Sequence, residues 1–406
     1  MADIDSQQNW FNWRDETITQ RALLAKDFGP QTYLVQDLII TPGLVVLAGK
    51  KKSGKSWMTL QLAQCVASSK PFLGKETTQG KVVCLALEDG ERRLKYRLER
   101  QTANPKLPIR YCPSWPPLNS EWGFKALVDI LKEKTPALLV IDTLASAFDA
   151  RVKENEAYSI GKIFNLLHEL AIALNTVILI VAHHGKKSYG DVGFDIRGSS
   201  AIPGATDANI GLYKNSDGTF TLKAEGRDIV EVELRIQFDA ETTWTWWCLG
   251  DDRDIRRVEA EARILEVIAS LGECYATDIA KELGIAVATI YVHLKRMRTE
   301  GRVEYEKVKT ASGVKMRYKI SQGTGTTTPT RLPGRLVRDN RRSGDEGSRQ
   351  VGEVGTESRV PKNPAVPTNE DVIFDEDVKE LARQLRNEPK GDVSQFIASY
   401  FANMKH

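Results

Sequence analysis

The sequence predicts an α/β fold, a mostly parallel sheet with helices on both faces, followed by a small domain of helices and one hairpin. Short apolar runs at residues 44–48, 82–86, 137–141 and 177–182 alternate with helix-length amphipathic stretches. That alternation is what βαβ units around a buried parallel sheet require. The stretch from Thr221 and Leu222 to Trp244 and Trp247 is rich in β-branched and aromatic residues, and reads as later, antiparallel strands closing the domain. Near Gly250 the pattern ends. Residues 256–271, 277–283 and 287–300 then have helical spacing, and residues 303–307 with 316–320 read as a hairpin turning at Ala311-Ser312-Gly313.

Length and composition agree with more than one domain. The 406 residues exceed one ordinary domain of about 100–200 residues. With 41% hydrophobic and 27% charged residues the chain can bury a core, so any disorder must be local. Lys and Arg (57) nearly balance Asp and Glu (54), so a nucleic-acid surface has to come from local clustering. Cys65, Cys84, Cys112, Cys248 and Cys274 stand far apart with no CxxC pair, and are expected to be reduced core residues rather than zinc ligands. The first residues carry no basic segment leading into an apolar run, and no stretch approaches the ~18 apolar residues of a membrane span. A cytoplasmic protein without membrane contact is the expectation.

The expected organisation is an N-terminal arm (1–30) with Trp10 and Trp13 as its large apolar anchors, an α/β domain (31–250) and a small C-terminal domain (251–320). A disordered linker rich in Gly, Thr, Pro and Arg (321–368) and a tail of two short helices (369–406) follow. The tail spaces Val393, Phe396, Ile397, Tyr400 and Phe401 as one apolar face, which suits a protein partner or a neighbouring subunit.

The first apolar run enters Gly49-Lys50-Lys51-Lys52-Ser53-Gly54-Lys55-Ser56, which fits GxxxxGK[ST] and is followed by a helical stretch. Glycines let backbone N–H groups close around phosphate oxygens, and the helix N-terminus adds partial positive charge. Lys55 reaches the β/γ-phosphates of ATP, and Ser56 offers its hydroxyl to Mg²⁺. Three more runs end in functional groups. Asp142 closes one and can hold magnesium through water, Glu88 follows another and is the candidate base for the attacking water, and His183-His184 follow the fourth, where one imidazole could sense the γ-phosphate. Taken singly, each fits an ordinary cap, turn or buried structural histidine. Their common position at the carboxyl edge of the sheet, where open α/β sheets bind ligands, favours function.

The order GKKKSGKS, LALEDGERRLKYRLE, LLVIDTL, then VAHHGKK and RGSSAIPGATDANIGL resembles the RepA-like hexameric helicase branch of the RecA/DnaB P-loop ATPases, over about residues 31–250. The resemblance implies a RecA-like P-loop NTPase core, with Glu88 as catalytic base, Asp142 as magnesium residue and His183 as γ-phosphate sensor. It also implies a homo-hexameric ring with ATP between subunits, each site completed by a basic side chain of the neighbour. Lys223 and Arg227 lie where DnaB-like proteins carry that pair. Arg197 competes with them, Arg227 is preferred, and a solvated charged turn explains the same residues equally well.

The segment from Gly185 to Ile196 is Gly-rich, basic and aromatic. Lys186 and Lys187 suit phosphates and Tyr189 suits base stacking, as a grip on single-stranded DNA requires, and the resemblance places DNA-contacting loops here; a mobile surface loop is the plain alternative. Residues 255–320 resemble a winged helix-turn-helix. Leu283-Gly284-Ile285 makes the turn, and Ala288, Ile290, Tyr291 and Leu294 are expected to form the core face of the third helix. That leaves Thr289, His293, Lys295, Arg296 and Arg298 for duplex DNA, with Lys307, Lys309 and Lys315 among six basic wing residues set against Glu304 and Glu306. Such domains also serve as docking modules. The leading expectation is an ATP-driven replicative helicase of a plasmid, phage or integrated element. The alternative is a DNA-bound regulatory, loading or recombination ATPase in which ATP controls assembly without unwinding; a small-molecule kinase lacks an arginine-rich lid.

Overall fold

The computed structural model describes residues 17–148, 157–185, 189–196, 201–310 and 313–321. Trp10, Trp13, Lys186, Lys187, Arg197, the turn residues Ala311 and Ser312, and the linker and tail expected beyond residue 321 lie outside them. The chain divides into two units between Thr32 and Tyr33. In the first, a short helix α1 (Gln20–Leu24) is capped by the Thr19 hydroxyl, which accepts from the Ala22 amide at 3.2 Å, and buries none of its residues.

The second unit is built on a nine-stranded sheet. After the small β1 (Tyr33–Val35) and β2 (Ile39–Ile40) pair come β3 (Gly43–Gly49), α2 (Lys55–Ser68), β4 (Val82–Ala86), α3 (Glu91–Arg100), β5 (Ile109–Cys112), α4 (Glu121–Lys134) and β6 (Leu138–Asp142). There follow α5 (Leu144–Ala147), α6 (Ala157–Ala173), β7 (Val177–His183), α7 (Val192–Asp195) and α8 (Ala201–Ala205), then β8 (Ala208–Lys214), β9 (Phe220–Gly226), β10 (Val232–Asp239) and β11 (Thr245–Asp251). The spatial order is β11-β10-β9-β8-β3-β7-β6-β4-β5, parallel from β8 to β5 and antiparallel from β8 to β11. This is the RecA-like α/β core. Alternate side chains of β3 serve opposite faces: Leu44, Val46 and Ala48 join one core with α4 and α6, while Val45 and Leu47 join the other with α2 and the antiparallel strands. Every residue of β3, β4 and β6 is buried, which is why these strands are continuous apolar runs in the sequence.

Register sets the functional edge. Gly49 pairs with His183 across β3 and β7, and Ala86 with Asp142 across β4 and β6. The ends of four strands therefore converge on the start of α2.

The C-terminal domain comprises α9 (Asp252–Leu271), β12 (Cys274–Tyr275), α10 (Ala276–Leu283), α11 (Val287–Thr299), β13 (Val303–Thr310) and β14 (Gly313–Ile320), with a three-stranded sheet in the order β12-β14-β13. It is a helix-turn-helix with a β-hairpin wing. Gly284 takes the left-handed conformation (φ 65°) that ends α10, as the tight turn between two helices demands. Its core differs from the expected one. Ile290, Leu294 and Met297 face inward from α11, whereas Ala288 and Tyr291 are exposed, because residues 290, 294 and 297 fall on one helical stripe at i, i+4 and i+7 and residues 288 and 291 lie off it. The first helix also begins four residues earlier than its apolar spacing suggested, with Asp251 capping it by accepting from the amides of Arg253 (2.9 Å) and Asp254 (3.2 Å).

A buried ion pair joins the two parts. Arg235 of β10 donates to Asp252, the first residue of α9, and the two are 6% and 0% exposed. Thr221 adds a hydroxyl donor to Asp252 at 3.0 Å, and Arg256 a second guanidinium. The 20-residue α9, about 30 Å long, thus starts from a fixed anchor on the sheet.

Candidate nucleotide site and nucleic-acid interface

Gly54 stands at φ +88° before α2, a conformation that L side chains rarely adopt, and a Cβ there would come within 2.6 Å of the Trp246 ring. Both constraints require glycine. Beneath the loop the buried Lys55 ammonium donates to the carbonyls of Gly49 (2.9 Å) and Lys50 (3.0 Å), holding the cradle closed, and lies 3.3 Å from Nδ1 of His183. An ammonium can only donate, so Nδ1 accepts and the ring proton sits on Nε2. That nitrogen faces the Glu88 carboxylate, with Oε1 at 3.8 Å. Glu88 in turn accepts from the Thr143 hydroxyl at 2.9 Å. Burial lowers the Lys55 pKa to about 8, against the opposing pull of Asp142 and Glu88.

The Ser56 hydroxyl hydrogen-bonds to Asp142, whose pKa burial raises to about 6. Among the described residues its Oδ1 is buried with no hydrogen-bond partner. A desolvated acceptor beside a serine hydroxyl at the phosphate cradle suits magnesium, which keeps several waters and takes one or two protein groups plus phosphate oxygens.

These groups line one cleft of about 470 Å³ with Lys52, Ser53, Gly54, Asp89, Arg93, Arg97, Phe220, Phe238 and Trp246. Lys55, Ser56, Glu88, Asp142 and His183 are therefore brought together, while Lys223 and Arg227 are not. Arg227 follows β9 at the amino edge of the parallel strands, the end away from Gly49, and donates to the Gly204 carbonyl at 2.6 Å. Lys223 donates to the Gly190 carbonyl at 2.8 Å and lies 3.4 Å from Glu233, so it is an internal link between β9 and the loop after β7, not a free surface cation.

The sequence reading missed a basic pair within the same subunit. Buried Asp89 pairs with Arg93 at 3.3 Å and with Arg97, placing two guanidiniums over the cleft. Their spacing from Asp89, four and eight residues, puts them on one helix face and was a usable signal. The aromatic wall was missed too. Phe238 pairs across β10 and β11 with Trp246, and Ile236 with Phe220, so alternation delivers these rings to one side of the sheet.

Beyond β7, His184 is 7% exposed with neither ring nitrogen hydrogen-bonded among the described residues, its ring 4.9 Å from that of Tyr213, and burial lowers its pKa to about 4. The returning chain is held by Asp195, fully buried, which accepts from the amides of Tyr189 (2.6 Å) and Gly190 (2.9 Å). Tyr189 and Phe194 project from this turn, both exposed.

In the C-terminal domain Thr289, Lys295, Arg296 and Arg298 are exposed on α11. His293 is not available in the way expected: it is half-buried, with Nδ1 3.7 Å from the buried Glu261. The wing's charge is also smaller than its composition implied. Arg302 pairs with Glu261 and Glu300, Arg317 with Glu273 and Glu306, and Lys319 with Glu304. Lys307, Lys309 and Lys315 are the exposed wing cations outside these pairs.

Sheet order, cradle and strand-end residues define a RecA-like P-loop fold joined to a helix-turn-helix domain. Comparison with known families agrees on both parts: a family described as AAA domain matches residues 14–189, and one described as bacterial regulatory protein, arsR family, matches residues 260–305. Among solved structures, a KaiC-like protein from the hyperthermophilic archaeon Pyrococcus horikoshii OT3 is 14% identical over 53% of this chain and 93% of its own, with a TM-score of 0.39. No curated protein matches the sequence. No helix among the described residues is long and apolar enough to cross a membrane.

Proposed function

We propose that this protein hydrolyses ATP and binds DNA, and that it acts as a ring-forming DNA motor of the replicative-helicase kind. The observation that carries the reading is the convergence of Lys55, Ser56, Asp142, Glu88 and His183 on one cleft at the carboxyl edge of the sheet. Lys55 and the amides of residues 50–56 bind the β- and γ-phosphates. Ser56 and Asp142 would hold Mg²⁺, which would supply neutralisation of the triphosphate charge. Glu88, fixed by Thr143, takes the proton of the attacking water. His183, between Lys55 and Glu88, touches both the phosphate cradle and the base, and so responds to the γ-phosphate. Because β7 runs directly into the turn carrying Tyr189 and Phe194, loss of the γ-phosphate is transmitted to a surface suited to single-stranded DNA.

In a homo-hexamer Arg227, outside its own subunit's cleft, is the residue assigned to a neighbour's ATP; Arg197 is the competing residue. A second reading draws on the Arg235–Asp252 anchor. A helix-turn-helix fixed to the sheet suits a DNA-bound regulatory or loading ATPase that assembles with ATP and does not unwind. A strand-displacement assay with ATP, run beside sizing with a non-hydrolysable analogue, separates them. Unwinding by a ring supports the motor; nucleotide-dependent assembly without unwinding replaces it with the regulator.

A further inference from the structure

The outward face of α11 sets methyl-bearing side chains beside cations. Taking about 100° per residue, the side opposite the buried Ile290, Leu294 and Met297 carries Ala288, Thr289, Val292, Lys295, Arg296 and Thr299. Val292 is at its centre and 69% exposed. A β-branched residue in a helix interior gives up propensity, and an exposed one gains no core packing in return.

The neighbours say what the face meets. Ala288 and Thr289, one turn before Val292, also end in methyl groups, whereas Lys295 and Arg296, one turn after it, are cationic. Lys307, Lys309 and Lys315 on the wing add exposed positive charge. An apolar patch at the N-terminal half of a second helix, followed and flanked by cations, is complementary to a major groove in which a base-edge methyl lies between phosphates. Thymine alone among the four DNA bases presents such a methyl, at C5.

We propose that Val292, with Ala288 and Thr289, reads thymine C5-methyl groups in the major groove of duplex DNA, and that Lys295 and Arg296 fix the helix on the flanking bases and phosphates. This rests on the DNA-binding reading of the C-terminal domain and goes beyond it by assigning the base and the residues that select it.

The test is in-vitro selection of random duplex DNA on the full chain, followed by titration of the enriched duplex with each thymine replaced singly by deoxyuridine. Wild-type protein is expected to lose about fourfold in affinity at one or two positions, the transfer free energy of a single methyl group. Val292→Ala should bind the parent duplex more weakly and discriminate thymine from deoxyuridine little at those positions. Equal affinity of the wild type for every deoxyuridine duplex overturns the proposal while duplex binding stands. Discrimination that Val292→Ala and wild type share overturns the assignment to Val292. If no duplex is enriched and none is bound, the DNA-binding reading falls with it, as it would if this face docks a protein.

Discussion

The Lys55 ammonium lies 3.3 Å from Nδ1 of His183, and this single contact fixes the imidazole with its proton on the nitrogen that faces Glu88. The candidate phosphate-binding lysine, sensor and base thereby form one chain of polar contacts, continued by Thr143. Removing one link should disturb the others in a defined order.

Thr143→Val is the mildest break. It leaves Glu88 in place without the 2.9 Å hydrogen bond that orients its carboxylate. A hydrogen bond to a charged group contributes about 1.5–3 kcal/mol, so kcat should fall roughly ten- to hundredfold. The Kd for ATP measured by equilibrium binding should change little, since Thr143 does not touch the cradle; a loss in Kd with kcat intact would contradict the positioning role.

Acid should expose His184. Burial holds its pKa at about 4, below the ordinary 6.5, so the unfolded chain takes up a proton that the folded chain refuses between those values. Stability from this site is full above pH 6.5 and falls as pH drops toward 4, by up to about 3 kcal/mol. His184→Phe keeps a ring against Tyr213 and removes the titrating group. Urea midpoints at pH 7 and 4.5 should therefore lie closer together in His184→Phe than in the wild type.

The Arg235–Asp252 anchor is buried enough for its loss to be costly. Asp252→Ala strands a guanidinium that is 6% exposed and keeps, among the described residues, the ion pairs with the more exposed Asp217 and Glu259, and should destabilise by about 3 kcal/mol or more. Replacing both partners, Arg235→Met with Asp252→Leu, should cost less than Asp252→Ala alone. Thermal unfolding of the two variants decides the order.

Salt dependence should follow the ion pairs rather than the composition of the wing. Changing Lys307, Lys309 and Lys315 to Ala together should lower the slope of log K against log salt by about 3, one phosphate contact each. Removing the ion-paired Lys319 should leave the slope nearly unchanged.

The sequence made visible what burial makes visible. Strands buried on both faces, such as 44–48 and 137–141, leave no polar residues to obscure them, and the phosphate loop depends on local chemistry that a short motif contains. Tertiary register is different. Nothing in the spacing of residues 49 and 183 says that they are neighbours across parallel strands, so the Lys55–His183 contact was out of reach. Arg93 and Arg97 stand four and eight residues after Asp89, a legible one-face spacing that also fits an ordinary solvated helix. On α11 the expected core face includes Ala288 and Tyr291, whereas the helical stripe buries Met297 and leaves Val292 to solvent. The Arg235–Asp252 pair joins elements whose charges each looked like surface residues.

Whether Glu88 is the base of ATP hydrolysis is decided by steady-state ATP turnover and equilibrium ATP binding of Glu88→Gln measured side by side. Binding should stay within a few-fold of wild type, because Glu88 is not part of the cradle, while turnover falls by about a hundredfold or more. Turnover equal to wild type at unchanged binding would contradict the assignment.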